Sequence, residues 1–181
     1  MKNIIKCLIV IFAFIIHVEI FPQEITNPIQ LSEKNLSGPR LGLTIVHGKG
    51  ELVNSMKRND MDRLLSQFGW HFEYQVSPSS MIGPSFVIQF VPLVGGVEYG
   101  KLVPSFTTAF GIRFPSGYEF GMGPNLVVSK DSYDETIISS SLVVAAGFSI
   151  NYGGVSIPLN LAYSISPSGN RASFIFGYSL E

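Results

Sequence analysis

Two patterns of apolar residues divide this chain. Residues 7–16 form an unbroken apolar run, whereas from Arg40 to the end bulky apolar residues alternate with small or polar ones. Alternation in steps of two is the mark of a strand with two unlike faces. Phe68, Trp70, Phe72, Tyr74 and Val76 share one such face, and Gly69, His71, Glu73, Gln75 and Ser77 the other. In 105–114, Phe106, Phe110, Ile112 and Phe114 oppose Ser105, Thr107, Ala109, Gly111 and Arg113. In 118–129, Tyr118, Phe120, Met122, Leu126 and Val128 oppose Glu119, Gly121, Gly123, Asn125 and Ser129. Segments 142–152, 155–165 and 173–180 follow suit, the last grouping Phe174, Phe176, Tyr178 and Leu180.

The turns test this reading independently. Gly153-Gly154 fits a two-residue hairpin loop that needs positive φ. Pairing outward from it sets Ile150 against Ile157, Phe148 against Leu159 and Val144 against Tyr163. Pro115-Ser116-Gly117 fits a three-residue loop with glycine in the left-handed position. It sets Phe114 against Tyr118, Ile112 against Phe120 and Phe110 against Met122. Both turns bring bulky faces to the same side, as register demands.

About eight strands result, at roughly 40–47, 67–76, 84–94, 101–114, 118–129, 140–152, 155–165 and 172–180, an even number suited to a closed antiparallel β-barrel. The connections alternate in length, with 48–66, 95–100, 130–139 and 166–171 as one set and 77–83, 115–117 and 153–154 as the generally shorter one, although 77–83 slightly exceeds 95–100. Outer-membrane barrels put short turns in the periplasm and long loops outside, which predicts both termini periplasmic. Pro92, Pro104, Pro124 and Pro158 fall in or beside these strands, each removing a ladder donor, and so predict bulges or strand ends.

Composition decides which face is inside. Only 14% of residues are charged, against about 25% in ordinary soluble domains. The non-bulky face is dominated by Gly, Ala, Ser, Thr and Asn, with few lysines or glutamates, poorly suited to water but suited to a narrow lumen. The all-β fold expected is therefore a transmembrane barrel with its bulky face toward lipid. Trp70, Tyr74, Phe114, Tyr118, Tyr152 and Tyr178 are its candidate aromatic girdle. A soluble periplasmic ligand-carrier barrel, with the aromatics as its core, is the alternative. A formal charge of −1 gives no reason to expect nucleic acid.

Lys2 and Lys6 precede the apolar run and polar residues follow it. A run that short suits a signal peptide, expected over 1–23 with a cut near Gln23; an uncleaved anchor is the alternative. Residues 24–39 then form an extended periplasmic segment and 40–181 the barrel. Cys7, the only cysteine, opens the apolar run rather than following it, which argues against lipidation and leaves the mature chain without a thiol.

The run Ser37-Gly38-Pro39-Arg40-Leu41-Gly42, with Phe68-Gly69-Trp70-His71-Phe72-Glu73-Tyr74 and Gly121-Met122-Gly123-Pro124-Asn125-Leu126, resembles a group of uncharacterised small outer-membrane β-barrel proteins of Gram-negative bacteria. The resemblance spans nearly the whole mature chain and implies fold and location, but no activity or catalytic residue. The last strand resembles the aromatic-ended signal read by the barrel-assembly machinery, with Leu180 and Glu181 where a terminal Phe is usual.

Candidate chemistry is sparse. Arg40, His71, Glu73, Arg113 and Glu119 point to the expected lumen, where charges persist only when paired. They read as a structural ion network, or as a gate on a narrow conduit. A lipid-modifying enzyme is the catalytic alternative, drawing on His47, Ser139–Ser141 and the acids Asp131, Asp134 and Glu135, with no motif joining them. No metal or cofactor is expected, since only His47 and His71 remain in the mature chain without ligand spacing. In 48–66, Leu52, Met56, Leu64 and Leu65 with interspersed charges read as a short amphipathic helix, either capping the barrel mouth or meeting a partner or lipid. The role expected is structural or surface-interactive, with outer-membrane lipid and the assembly machinery as partners.

Overall fold

The computed structural model describes residues 31–34, 36–78, 83–130 and 135–180. The expected signal peptide and its cut lie outside the described residues, as do Asp131 and Asp134. The strands are β1 (Leu31–Lys34), β2 (Gly38–His47), β3 (Leu64–Pro78), β4 (Ser85–Gly95), β5 (Val103–Arg113), β6 (Tyr118–Lys130), β7 (Thr136–Tyr152), β8 (Val155–Ile165), β9 (Asn170–Gly177) and β10 (Ser179–Leu180). Among the described residues, one α-helix, α1 (Glu51–Arg58), and a 3-10 turn, Val97–Tyr99, lie between strands.

Strands β2 to β9 pair antiparallel in chain order, and β2 pairs with β9 to close an eight-stranded barrel. The two short strands extend existing ladders. β1 continues beside β3 in the register of β2, as Lys34↔Gln75 and Gly38↔His71 show. β10 continues beside β8 in the register of β9, as Ser179↔Ser156 and Leu159↔Phe176 show. The start of β2 and the end of β10 therefore meet at the end of the barrel that carries the short turns.

Turn chemistry sets the register as the sequence predicts. Gly153 and Gly154 have φ of 60° and 80°, and Ile150↔Ile157, Phe148↔Leu159 and Val144↔Tyr163 pair across them. Gly117 has φ of 91°, and Arg113↔Glu119, Ile112↔Phe120 and Phe110↔Met122 follow.

The prolines cause neither bulges nor register shifts. Between Gly69↔Leu93 and Phe72↔Phe90 the ladder drops the pairs at Pro92 and resumes in step. β5 and β6 do the same at Pro124, between Thr107↔Asn125 and Phe110↔Met122. Proline offers no N–H there, and a glycine lets the backbones close up instead. A Cβ at Gly69 would strike the Pro92 carbonyl oxygen, and one at Gly123 the Thr108 carbonyl oxygen. Pro104 sits near the start of β5, opposite Val94. Pro158 falls where the β8 ladder passes from β9 to β10.

The bulky face is outside. Phe72 is 51% exposed and Phe120 55%, while Thr44, Val87 and Ser156 on the alternate face are fully buried. A soluble carrier would invert this arrangement. The outward band belongs in hydrocarbon, where every backbone group must be satisfied within the protein, and a closed barrel does so.

The helix is shorter than the sequence reading. Leu64 and Leu65 belong to β3, because the chain leaves α1 at Asn59 and turns through Asp60, which has φ of 52°. Leu52, Val53 and Met56 of α1 pack with Val46, Met61, Leu65 and Val127 across the loop-end mouth. The Leu52 amide donates to the Ser168 carbonyl at 3.0 Å, and the Val46 amide to that of Arg63 at 2.8 Å, pinning the cap. Each apolar side chain so buried contributes about 1.5–3 kcal/mol.

Candidate functional site

Alternation aims Arg40 and Gly42 of β2, His71, Glu73 and Gln75 of β3, Gln89 of β4, Arg113 of β5, Glu119 and Asn125 of β6 and Arg171 of β9 into the lumen. Near the turn end Arg113 is the hub. Its Nη2 donates to Glu73 Oε2 at 2.7 Å and Glu119 Oε2 at 2.6 Å, and its Nε to Glu119 Oε2 at 3.0 Å. Its Nη1 donates to Glu73 Oε1 and, at 2.8 Å, to Gln75 Oε1. The Glu73 side chain is fully buried, and the Gln89 amide also reaches its Oε2 at 3.4 Å. A planar guanidinium with five donors suits such a node, because it can grip Glu73 with two parallel bonds.

Arg40 lies apart from that hub. It donates to the carbonyls of Pro39 at 3.1 Å and Tyr178 at 3.2 Å, and to His71 Nδ1 at 2.9 Å. Accepting at Nδ1 leaves the His71 proton on Nε2, which points toward Glu73 Oε2 at 3.6 Å. That nitrogen is buried and makes no hydrogen bond, so His71 stands between Arg40 and the ion network while bonding only to Arg40 among the side chains.

Arg171 is the residue that the sequence reading missed. Starting the last strand at 172 left it in the turn, although it alternates in phase with Ser173, Ile175 and Gly177. Its Nη2 donates to Asn125 Oδ1 at 2.6 Å and to Ser141 Oγ at 2.7 Å. Between Arg171 and Arg40 the lumen opens into a cavity of about 80 Å³, also lined by Thr107, Asn160 and Ser164. The cap of α1 lies toward the loops from it and the Arg113 hub toward the turns.

The pieces of a hydrolase are not brought together among the described residues. His47 packs its ring on Tyr163, with centroids 5.6 Å apart. Ser139 accepts from or donates to Ser168 at 3.0 Å, and Ser141 is engaged with Asn125 and Arg171. Trp70, Tyr74, Phe114, Tyr118, Tyr152 and Tyr178 all lie on the outer surface. At the loop end, Glu98 takes hydrogen bonds from the Ser66 amide and hydroxyl, both at 2.6 Å. Slight burial opposes ionisation of Glu98, but the Ser66 bonds outweigh it and hold its carboxyl below the ordinary value of 4.5.

No protein-family profile and no curated protein matches this sequence. Among solved structures the chain is similar to Ail, the attachment invasion locus protein of Yersinia pestis, with a TM-score of 0.56 at 14% identity, covering 82% of this chain and 97% of Ail. A second Ail structure, in complex with the heparin analogue sucrose octasulfate, matches with a TM-score of 0.51 at 15% identity, over 81% and 98% of the two chains. At such identity the likeness shows the fold alone.

Proposed function

We propose that this chain is a non-enzymatic outer-membrane barrel of a Gram-negative bacterium, an anchor that presents its loop end for surface interaction. The observation that carries this reading is a lumen with an apolar helix cap at its loop end and an ion node at its turn end, inside a wall whose outer face is apolar. An open conduit needs a continuous wet path, and the apolar cap on one side and the saturated Arg113 hub on the other interrupt it. The outward aromatics near the turns then serve as a headgroup-level girdle, with both ends of the mature chain periplasmic. The signal peptide, membrane lipid and assembly machinery belong to the same reading.

The exposed face of α1, with Asn54, Lys57 and Arg58, is the centre of the presented surface. The heparin-analogue binding of Ail is not carried over. Segments 48–63, 96–102 and 130–135 hold six lysines and arginines against seven aspartates and glutamates, so the loops have no excess positive charge to attract a sulfated ligand.

The test is accessibility in cells together with conductance. Asn54→Cys should react with a membrane-impermeant maleimide in intact cells, and Ser116→Cys only after lysis. The purified protein should migrate differently boiled and unboiled, and give negligible conductance in planar bilayers. Labelling of Ser116→Cys in intact cells, or steady wild-type channels, would overturn the reading.

A further inference from the structure

Among the described residues, the charged side chains of Arg40, Glu73, Arg113, Glu119 and Arg171, buried or nearly so, do not balance. Arg40, Arg113 and Arg171 stand against Glu73 and Glu119, leaving one positive charge. Arg113 takes both carboxylates, so the surplus falls on the two arginines that line the cavity. Arg40 has three neutral acceptors to hold it. Arg171 is 8% exposed and uses Nη2 for both of its bonds, to an amide oxygen and a hydroxyl. Its Nε and Nη1 donate to no protein group among the described residues. A buried cation with only neutral partners is strongly disfavoured unless an opposite charge joins it.

We propose that the cavity beside Arg171 binds one small monovalent inorganic anion, of the charge and size of chloride. The surplus sets the charge: one monovalent anion neutralises these five groups, and a divalent oxyanion would overshoot them. The space fixes the size. A water needs at least about 10–15 Å³, so a cavity of about 80 Å³ holds a halide and a few waters. Neutral donors complete the shell. Thr107 accepts from Asn125 Nδ2 at 2.8 Å and so keeps its O–H to donate. Ser164 stands directly across the β8–β9 ladder from Arg171. The glutamates cannot compete, because Arg113 holds them toward the turn end. Arg171 pairs with Val46, six residues from Arg40 on β2, which is about 20 Å along the wall.

The barrel refolded in detergent with potassium gluconate, whose anion is too bulky for the cavity, is titrated with chloride while its urea unfolding is followed. Above the dissociation constant, each tenfold rise in chloride should lower the unfolding constant about tenfold. Arg171→Gln should flatten that dependence, and Lys101→Gln, which alters an exposed loop cation, should leave it intact. A flat wild-type response, or an equal slope in Arg171→Gln, overturns the proposal. A second measurement needs no variant. Wild-type crystals grown in bromide should show an anomalous scatterer within hydrogen-bonding distance of the Arg171 guanidinium. Bromide found only at the surface, or nowhere, overturns the proposal as well.

Discussion

At the turn end the lumen is filled by charge, with Arg113 gripping Glu73 and Glu119; at the loop end it is filled by carbon, with Leu52, Val53 and Met56 of α1 packed on Val46 and Val127. The two stoppers differ in how they are attached. Every member of the ionic one stands on a barrel strand, so its geometry is that of the wall itself. The apolar one is carried by a loop helix and is joined to the wall by side-chain packing and a few backbone bonds, such as Leu52 to Ser168. Disturbing the first should therefore be felt by the whole barrel, and disturbing the second mainly by its own loop.

The strongest way to break this contrast is Arg113→Ala. It leaves two carboxylates in the lumen without their cation and should cost about 3–5 kcal/mol, read from urea unfolding of the refolded barrel. Neutralising the acids at the same time, with Glu73→Gln and Glu119→Gln, should recover most of the loss. A cost below about 1 kcal/mol for Arg113→Ala would mean that the node behaves like a surface pair.

Met56→Ala comes next. Removing a buried methionine costs about 2–5 kcal/mol, but the loss should appear as faster hydrogen exchange in α1, with the midpoint of barrel unfolding nearly unchanged. An equal fall in that midpoint would show that the cap is part of the barrel's cooperative unit. Arg58→Ala should matter less. Its bond to Glu51, at 2.6 Å, is solvent-exposed, and such pairs contribute about 0.2–1 kcal/mol.

The smallest effect belongs to Glu98. Because its carboxyl titrates lower in the folded barrel, the Ser66 contact stabilises the loop above the ordinary value of 4.5 and is lost as pH falls through the lowered folded one. Protection of the Ser66 amide should decline over that acid range in the wild type. In Glu98→Gln it should be independent of pH there.

The Arg113–Glu119 pairing was legible because a three-residue loop fixes their register, and register is local information. Gln75 lay on the inner face in the same pattern, yet nothing in the sequence marked it as a partner of Arg113, or Gln89 as a partner of Glu73. The Gln75–Arg113 contact joins β3 and β5, which are not neighbours, whereas Gln89 faces Glu73 across the β3–β4 ladder, where the sequence reading assigned no faces to β4. Arg171 was missed for a smaller reason, a strand begun at 172 although β9 starts two residues earlier, at Asn170. The length of α1 was overestimated because Leu64 and Leu65 extend its apolar pattern, whereas pairing with Ile45 and Thr44 of β2 draws them into β3.

By itself, the sequence determined the strands, their two faces and the pairing across the tight turns, because alternation and positive-φ glycines act over a few residues. It also pointed the bulky face outward, since the small and polar side chains that dominate the other face suit the narrow lumen of eight strands. Only the tertiary structure decided which charges meet across the lumen, that one arginine there is left over, and that α1 covers the mouth. Those outcomes depend on how the closed wall curves and on which side chains reach across it, and strand periodicity carries no record of either.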